Sequence, residues 1–142
     1  MDFKAHFAGN ISENALNSTI ETLEKVSEEQ LKSSTVYSAN GSLASLVLYV
    51  KAQCHINGGK TFDGSAWGVS FPGGGALFGD VYLVDKVTIG DLYARTGSFK
   101  FYATPVYTAF YFYDSKDHLL GHFQAGSVST VTGGGGGAGG WS

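Results

Sequence analysis

The sequence predicts an all-β fold: a closed antiparallel β-barrel of eight strands with an added N-terminal helix. Three observations predict it. Eight of the fifteen residues from Phe99 to Tyr113 are aromatic, and no charge falls between Lys100 and Asp114; aromatic and β-branched residues at alternating positions favour pleated, half-buried strands. Glycine is abundant at 21 residues and proline scarce at 2, as the tight turns and bulges of a curved sheet require. The apolar spacing changes once, from helical before Ser34 to short β-rich runs after it. Short strands with frequent turns mean a barrel or a sandwich. Closure is favoured because it removes sheet edges, which would be sticky in so aromatic a chain.

Residues Asn10 to Ser34 read as an amphipathic helix. Asn10 with Glu13 fits a capping box, and Leu16, Ile20, Leu23 and Leu31 fall roughly on one face with Val26 beside them. Glu21–Lys25 and Glu28–Lys32 are i,i+4 pairs in the favourable order, each contributing a few tenths of a kcal/mol at most. Such a helix docks on the body, pairs with another copy, or seeks a partner; its acidic face suits few membranes.

The strands follow. Ser42–Ile56 is long and β-rich, and Asn57-Gly58-Gly59 is a strong turn. Lys60–Phe62 and Ala66–Phe71 come next, split by Asp63-Gly64, and Pro72–Gly75 makes another break. Ala76–Val84 is a strand with a central glycine. Thr88 and Asp91 resemble a capping box, so Ile89–Ala94 forms one or two helical turns. Phe99–Thr104, Val106–Tyr113, Leu119–Ala125 and Ser127–Thr132 complete two groups of four about this break. Residues 133–140 are glycine except Ala138, with Trp141-Ser142 at the end, which by composition is a flexible tail. Folding back, Trp141 would plug a barrel end. Three regions result: a helical region over 1–34, a barrel over 35–132 and a glycine-rich tail over 133–142.

Charge is uneven. Residues 1–34 hold six acids against three bases, whereas 35–142 hold six of each. A neutral body offers no footprint for nucleic acid and no polybasic cluster for anionic lipid. Cys54 is the single cysteine, so no intrachain disulfide forms. Met1–His6 lacks the basic and apolar regions of a signal peptide, so the chain is expected to stay in the cytoplasm, to leave by another route, or to have lost a leader.

Candidate chemistry is thin. His118 and His122 are four apart with Asp114 and Asp117 nearby, but a turn and strand do not present that spacing as one helix face would. They read as exposed polar residues that could titrate at acidic pH. Cys54 and His55 are neighbours on a strand and point to opposite faces, which leaves Cys54 a small buried hydrophobe. The glycine run satisfies G-x-G-x-x-G only trivially, and no G-x-S-x-G elbow occurs. No catalytic, cofactor-binding or metal-binding residue is assigned. Val106, Thr108, Phe110 and Phe112 face one way, and Tyr107, Ala109, Tyr111 and Tyr113 the other, with the phenylalanines inward. Outward tyrosines stack on sugars, sit at a lipid interface, or make ordinary cross-strand pairs. The surface-contact candidates are Tyr107, Tyr111, Tyr113, His118, His122 and Trp141. The bulky Phe, Leu and Val content argues for a barrel filled by side chains.

Several segments together resemble the virulence-associated protein (Vap) family of actinobacterial intracellular pathogens. They are Lys60-Thr61-Phe62-Asp63-Gly64, Phe71 to Gly79, and Asp91-Leu92-Tyr93 leading into Ser98-Phe99. The strongest are Phe112-Tyr113-Asp114-Ser115, His118 to Gly126 and Val128-Ser129, followed by the terminal glycine run and tryptophan. The resemblance covers about residues 42–142. It implies an eight-stranded barrel of two Greek-key groups joined by a short helix. It also implies a secreted, non-enzymatic protein that alters the phagolysosome by acting on a membrane or host partner. A small-ligand or carbohydrate-binding barrel is the alternative.

Overall fold

The structure, a computed structural model, describes residues 36–46, 49–70, 73–104, 106–129 and 133–142. The expected helix over Asn10–Ser34, and with it self-association through that helix, lies outside the described residues. Eight strands and one short helix run in the order β1 (Val36–Ser45), β2 (Tyr49–Ile56), β3 (Thr61–Ser70), β4 (Gly73–Leu83), α1 (Ile89–Arg95), β5 (Ser98–Ala103), β6 (Tyr107–Tyr113), β7 (Leu119–Ser129) and β8 (Gly133–Trp141). The strands close in the order β1-β2-β3-β8-β5-β6-β7-β4, every pair antiparallel. Within β1–β4 the spatial order is 4-1-2-3, and β5–β8 repeat it; each group is a Greek key, and α1 joins them.

Local chemistry explains the junctions. The Asn57–Gly59 turn places Gly58 at φ +78°, a left-handed conformation that glycine adopts without steric cost. The capping box of α1 forms as its sequence predicts: Asp91 N donates to Thr88 Oγ1 at 3.0 Å and Thr88 N donates to Asp91 Oδ2 at 3.0 Å. Leu92 is the residue that α1 buries.

Four boundaries differ from the sequence reading. The expected break between Leu119–Ala125 and Ser127–Thr132 is absent, because Gly126 lies inside one continuous strand, β7. The long run over Ser42–Ile56 is the end of β1 and all of β2, hinged at Leu46, whose N donates to Tyr49 O at 2.8 Å. The expected split at Asp63-Gly64 is absent, because Gly64 faces inward within an unbroken β3. There a Cβ would lie 2.6 Å from the Phe99 ring, so the glycine answers to the space the core leaves, not to a turn. The expected tail over 133–142 is β8, hydrogen-bonded between β3 and β5. Its backbone is paired on both edges, which orders a run that has almost no side chains. A Cβ on Gly137 would sit 2.6 Å from Ala66 Cα, so only glycine lets the neighbouring strand approach this closely.

The barrel is filled. Phe62, Phe99, Phe101, Phe110, Phe112 and Phe123 are fully buried with Leu43, Leu77 and Leu92. Phe62 meets Phe99 edge-on at 5.1 Å and Phe112 at 4.9 Å between ring centroids, geometry that suits the ring quadrupoles. Trp141 closes one end, packed 5.2 Å from Phe112, 5.4 Å from Tyr93 and 5.6 Å from Phe62. Ser142 and Thr61 exchange backbone hydrogen bonds at 2.9 Å in each direction, which fixes the chain end over this plug.

Candidate functional site

With its interior filled, the barrel has its outer surface left for contact, and the structure sorts the six candidates among different settings. Alternation along β6 is as expected: Phe110 and Phe112 join the core, while Ala109, Tyr111 and Tyr113 form a second cluster with Tyr102 and Leu119. That outer cluster is itself buried. Tyr111, Tyr113, His122 and Trp141 are therefore not surface residues, and their assignment as contacts is corrected. Trp141 is buried because alternation along β8 points it into the barrel. Tyr107 is partly buried and His118 is exposed.

One cross-strand row organises this outer face. Tyr82 of β4 pairs with His122 of β7, His122 with Tyr111 of β6, and Tyr111 with Lys100 of β5. The Tyr82 and His122 rings stack at 5.3 Å and 23°, and Tyr111 lies 6.1 Å from His122. The Tyr107 hydroxyl donates to Gln124 Oε1. Gln124 Nε2 donates to His122 Nδ1 at 2.8 Å. With Nδ1 accepting, the neutral ring carries its proton on Nε2, and burial lowers the His122 pKa to about 4. Burial also pushes the Tyr111 phenol above its ordinary range.

His118 and His122 do not act together. His118 belongs to the turn after β6, where Asp114 collects donors: Lys116 N at 2.9 Å, His118 N at 3.0 Å and Arg95 Nη2 at 2.8 Å, with His118 Nδ1 at 3.3 Å. Burial would raise the Asp114 pKa, but the backbone donors and Arg95 outweigh it and hold it at about 2. Among the described residues no three His, Cys, Asp or Glu side chains gather as a metal site. Arg95, Asp114, Ser115, Lys116 and His118 line an open depression of about 480 Å³ with Ala94, built of solvated polar groups. Cys54 is buried, and desolvation raises its thiol above the reactive range. His55 points the other way, its Nδ1 2.8 Å from Thr61 Oγ1.

The sequence reading missed the large apolar side chains that remain in water among the described residues: Val36, Leu46, Trp67, Phe78 and Val106. Leu46 follows β1, Val106 precedes β6, and Trp67 lies near the end of β3; the three lie toward the barrel end opposite Trp141, with the β1–β2 and β5–β6 junctions on opposite sides of it. Trp67 meets Tyr49 edge-on at 5.2 Å, and the Tyr49 hydroxyl donates to Ser65 Oγ at 3.0 Å. Alternation through an unbroken β3, with Thr61, Asp63, Ser65 and Trp67 on one face, was the available signal, and the false split at Gly64 concealed it.

The chain matches the family model described as Rhodococcus equi virulence-associated protein over residues 1–142. It is similar to the structure of VapD from the intracellular pathogen Rhodococcus equi, at 34% identity and a TM-score of 0.71, covering 76% of this chain and 97% of that one. It is also similar to VapB from the same organism, at 38% identity and a TM-score of 0.69, covering 76% and 96%. No curated protein matches it.

Proposed function

This chain belongs to the Rhodococcus equi virulence-associated protein family, and from that premise we propose that it is a non-enzymatic effector whose barrel surface engages a membrane. One observation carries the reading: three of the apolar side chains left in water, Leu46, Trp67 and Val106, lie toward one end of a barrel whose inside is already full. Tyr49 packs against Trp67. Aromatic and aliphatic side chains of this kind partition into the headgroup boundary of a bilayer. The body, residues 35–142, is electrically neutral. Attachment therefore rests on apolar burial, about 25 cal/mol for each Å² removed from water, and little on anionic lipid.

A host protein offering an apolar groove is the competing partner. The small-ligand or carbohydrate alternative has lost its expected footing, since the tyrosine face is buried and the interior is packed. The exposed Tyr49–Trp67 pair remains as a stacking platform for a sugar.

The test is binding to phosphatidylcholine vesicles with and without phosphatidylserine at pH 7.4 and 5. Trp67 should lose quenching by iodide and shift its emission to the blue, with little dependence on salt or lipid charge. Trp67→Ala should weaken binding about tenfold, equivalent to about 1.4 kcal/mol. No binding and no leakage at either pH would discard the membrane reading.

A further inference from the structure

Gly126 stands outward on β7 with an aromatic residue on either side. Phe78 of β4 pairs with it across one edge and Tyr107 of β6 across the other. An aromatic ring beside an outward glycine can lie over it and cover it. Neither ring does so here: Gly126 is exposed, and a Cβ placed on it would meet nothing within 4 Å. Phe78 is 62% exposed, and the Tyr107 hydroxyl is held by Gln124, two residues before the glycine. The outer surface thus carries an open slot with a glycine floor between two aromatic residues.

The width suits a small apolar cation. Phe78 and Tyr107 are two strand spacings, about 9.6 Å, apart, so a group seated over Gly126 lies about 4.8 Å from each strand. That is inside the range of about 6 Å over which a cation is attracted to an aromatic ring. Charge points the same way. Asp80 follows Phe78 on the same face of β4 and is the diagonal neighbour of Gly126, within side-chain reach. Its outward neighbours are Ser38 and Gln124 across the sheet and Phe78 and Tyr82 along the strand. None of these is a cation, and among the described residues no ion pair engages Asp80. Donors are scarce in the slot: the Gln124 amide accepts from Tyr107 and donates to His122, and an ionised Asp80 only accepts. A sugar, whose hydroxyls need donors as well as acceptors, is poorly matched. So is a primary ammonium, because an open slot does not strip its strongly held water. A quaternary ammonium is weakly hydrated, presents methyl groups to the rings and needs no donor.

We propose that Phe78, Asp80, Tyr107 and Gly126 form a binding site for a trimethylammonium group such as choline carries, with the two rings as walls and the carboxylate as counter-charge. The site lies on the side of the barrel where β4, β7 and β6 run together. It shares no residue with the exposed set Leu46, Trp67 and Val106. It is therefore independent of the membrane reading and is read first with a soluble ligand.

Titration of the full chain with choline, followed by nuclear magnetic resonance, tests it. Amide signals of Phe78, Asp80, Tyr107 and Gly126 should move together with a millimolar Kd. The uncharged tert-butyl analogue of choline, alike in shape, should bind at least tenfold more weakly. Phe78→Ala and Asp80→Asn should each weaken choline binding about tenfold. Gly126→Val should abolish it while the melting temperature holds or rises, since the slot has room for the side chain and β-branched residues suit a strand. Vesicles of phosphatidylcholine, compared with vesicles enriched in phosphatidylethanolamine, then name the source. A preference for the choline headgroup that Phe78→Ala removes assigns the site to lipid, and equal binding assigns it to a soluble ligand; both uphold the site. Choline shifts that are absent from these four residues would overturn it. So would equal binding of the tert-butyl analogue, tighter binding of methyl glucoside, or choline binding that survives Gly126→Val.

Discussion

The two Greek keys share one topology and carry opposite surfaces. On β1, β2 and β3 the outward positions hold Ser38, Asn40, Ser42, Lys51, Gln53 and Asp63, and these meet water through ordinary surface bonds, such as Gln53 Nε2 to Asp63 Oδ1 at 2.8 Å. On β5, β6 and β7 the corresponding positions hold Tyr102, Ala109, Tyr111, Tyr113 and His122, and these are dry. Inside the barrel the two groups are alike, both contributing fully buried apolar side chains to one core. What the contrast teaches is that strand alternation assigns a side chain to a face but does not by itself decide whether that face is wet.

The sharpest way to break the comparison is to place the same charge on each face. Ala109→Glu puts a carboxylate in the dry cluster and should cost about 3 kcal/mol or more in urea unfolding, as an unpaired buried charge does. Ala44→Glu, outward on β1 and exposed, should stay within about 0.5 kcal/mol. Equal losses would erase the distinction between the faces.

Acid probes the same difference. His122 has a native pKa of about 4 against about 6.5 unfolded. The unfolded chain therefore binds the proton first, and the stability that the neutral ring confers is complete above pH 6.5 and lost as pH falls toward 4. The loss is of order 2–3 kcal/mol. Melting curves between pH 7 and 4 should steepen in the unaltered protein, and His122→Gln should flatten them. Tyr82, Tyr111 and Gln124 surround His122.

Smaller effects sharpen the picture at the junction between the keys. Thr88→Ala removes the cap of α1 and should cost about 1 kcal/mol, read as a uniform shift of the denaturation midpoint. Smallest of all, Trp67→Ala removes an exposed ring and should change stability by less than about 0.5 kcal/mol. A larger loss would mean that the rim is part of the core and not a contact surface.

Much of the fold was legible in the sequence because its signals were local. The Asn57-Gly58-Gly59 turn, the Thr88–Asp91 capping box and the inward phenylalanines of β6 each follow from neighbours in the chain. β8 was illegible for the opposite reason. A glycine run carries no side-chain period, and its order comes from backbone bonds to β3 and β5, strands that begin about 72 and 35 residues earlier. Gly64 misled in the same way, since glycine marks a turn in one setting and a close approach of rings in another. The contact surface was the least legible. Tyrosines were assigned outward correctly, but exposure is a tertiary property, and Leu46 and Val106 stand in water only because the strands end where they do.

The central claim, that one outer face is dry and the other wet, is tested most directly by hydroxyl-radical footprinting of the intact chain with residue-level mass spectrometry. The account predicts rapid oxidation of Trp67 and Phe78 and at least tenfold slower oxidation of Tyr111 and Tyr113. Tyrosines of β6 that react as fast as Trp67 would contradict it.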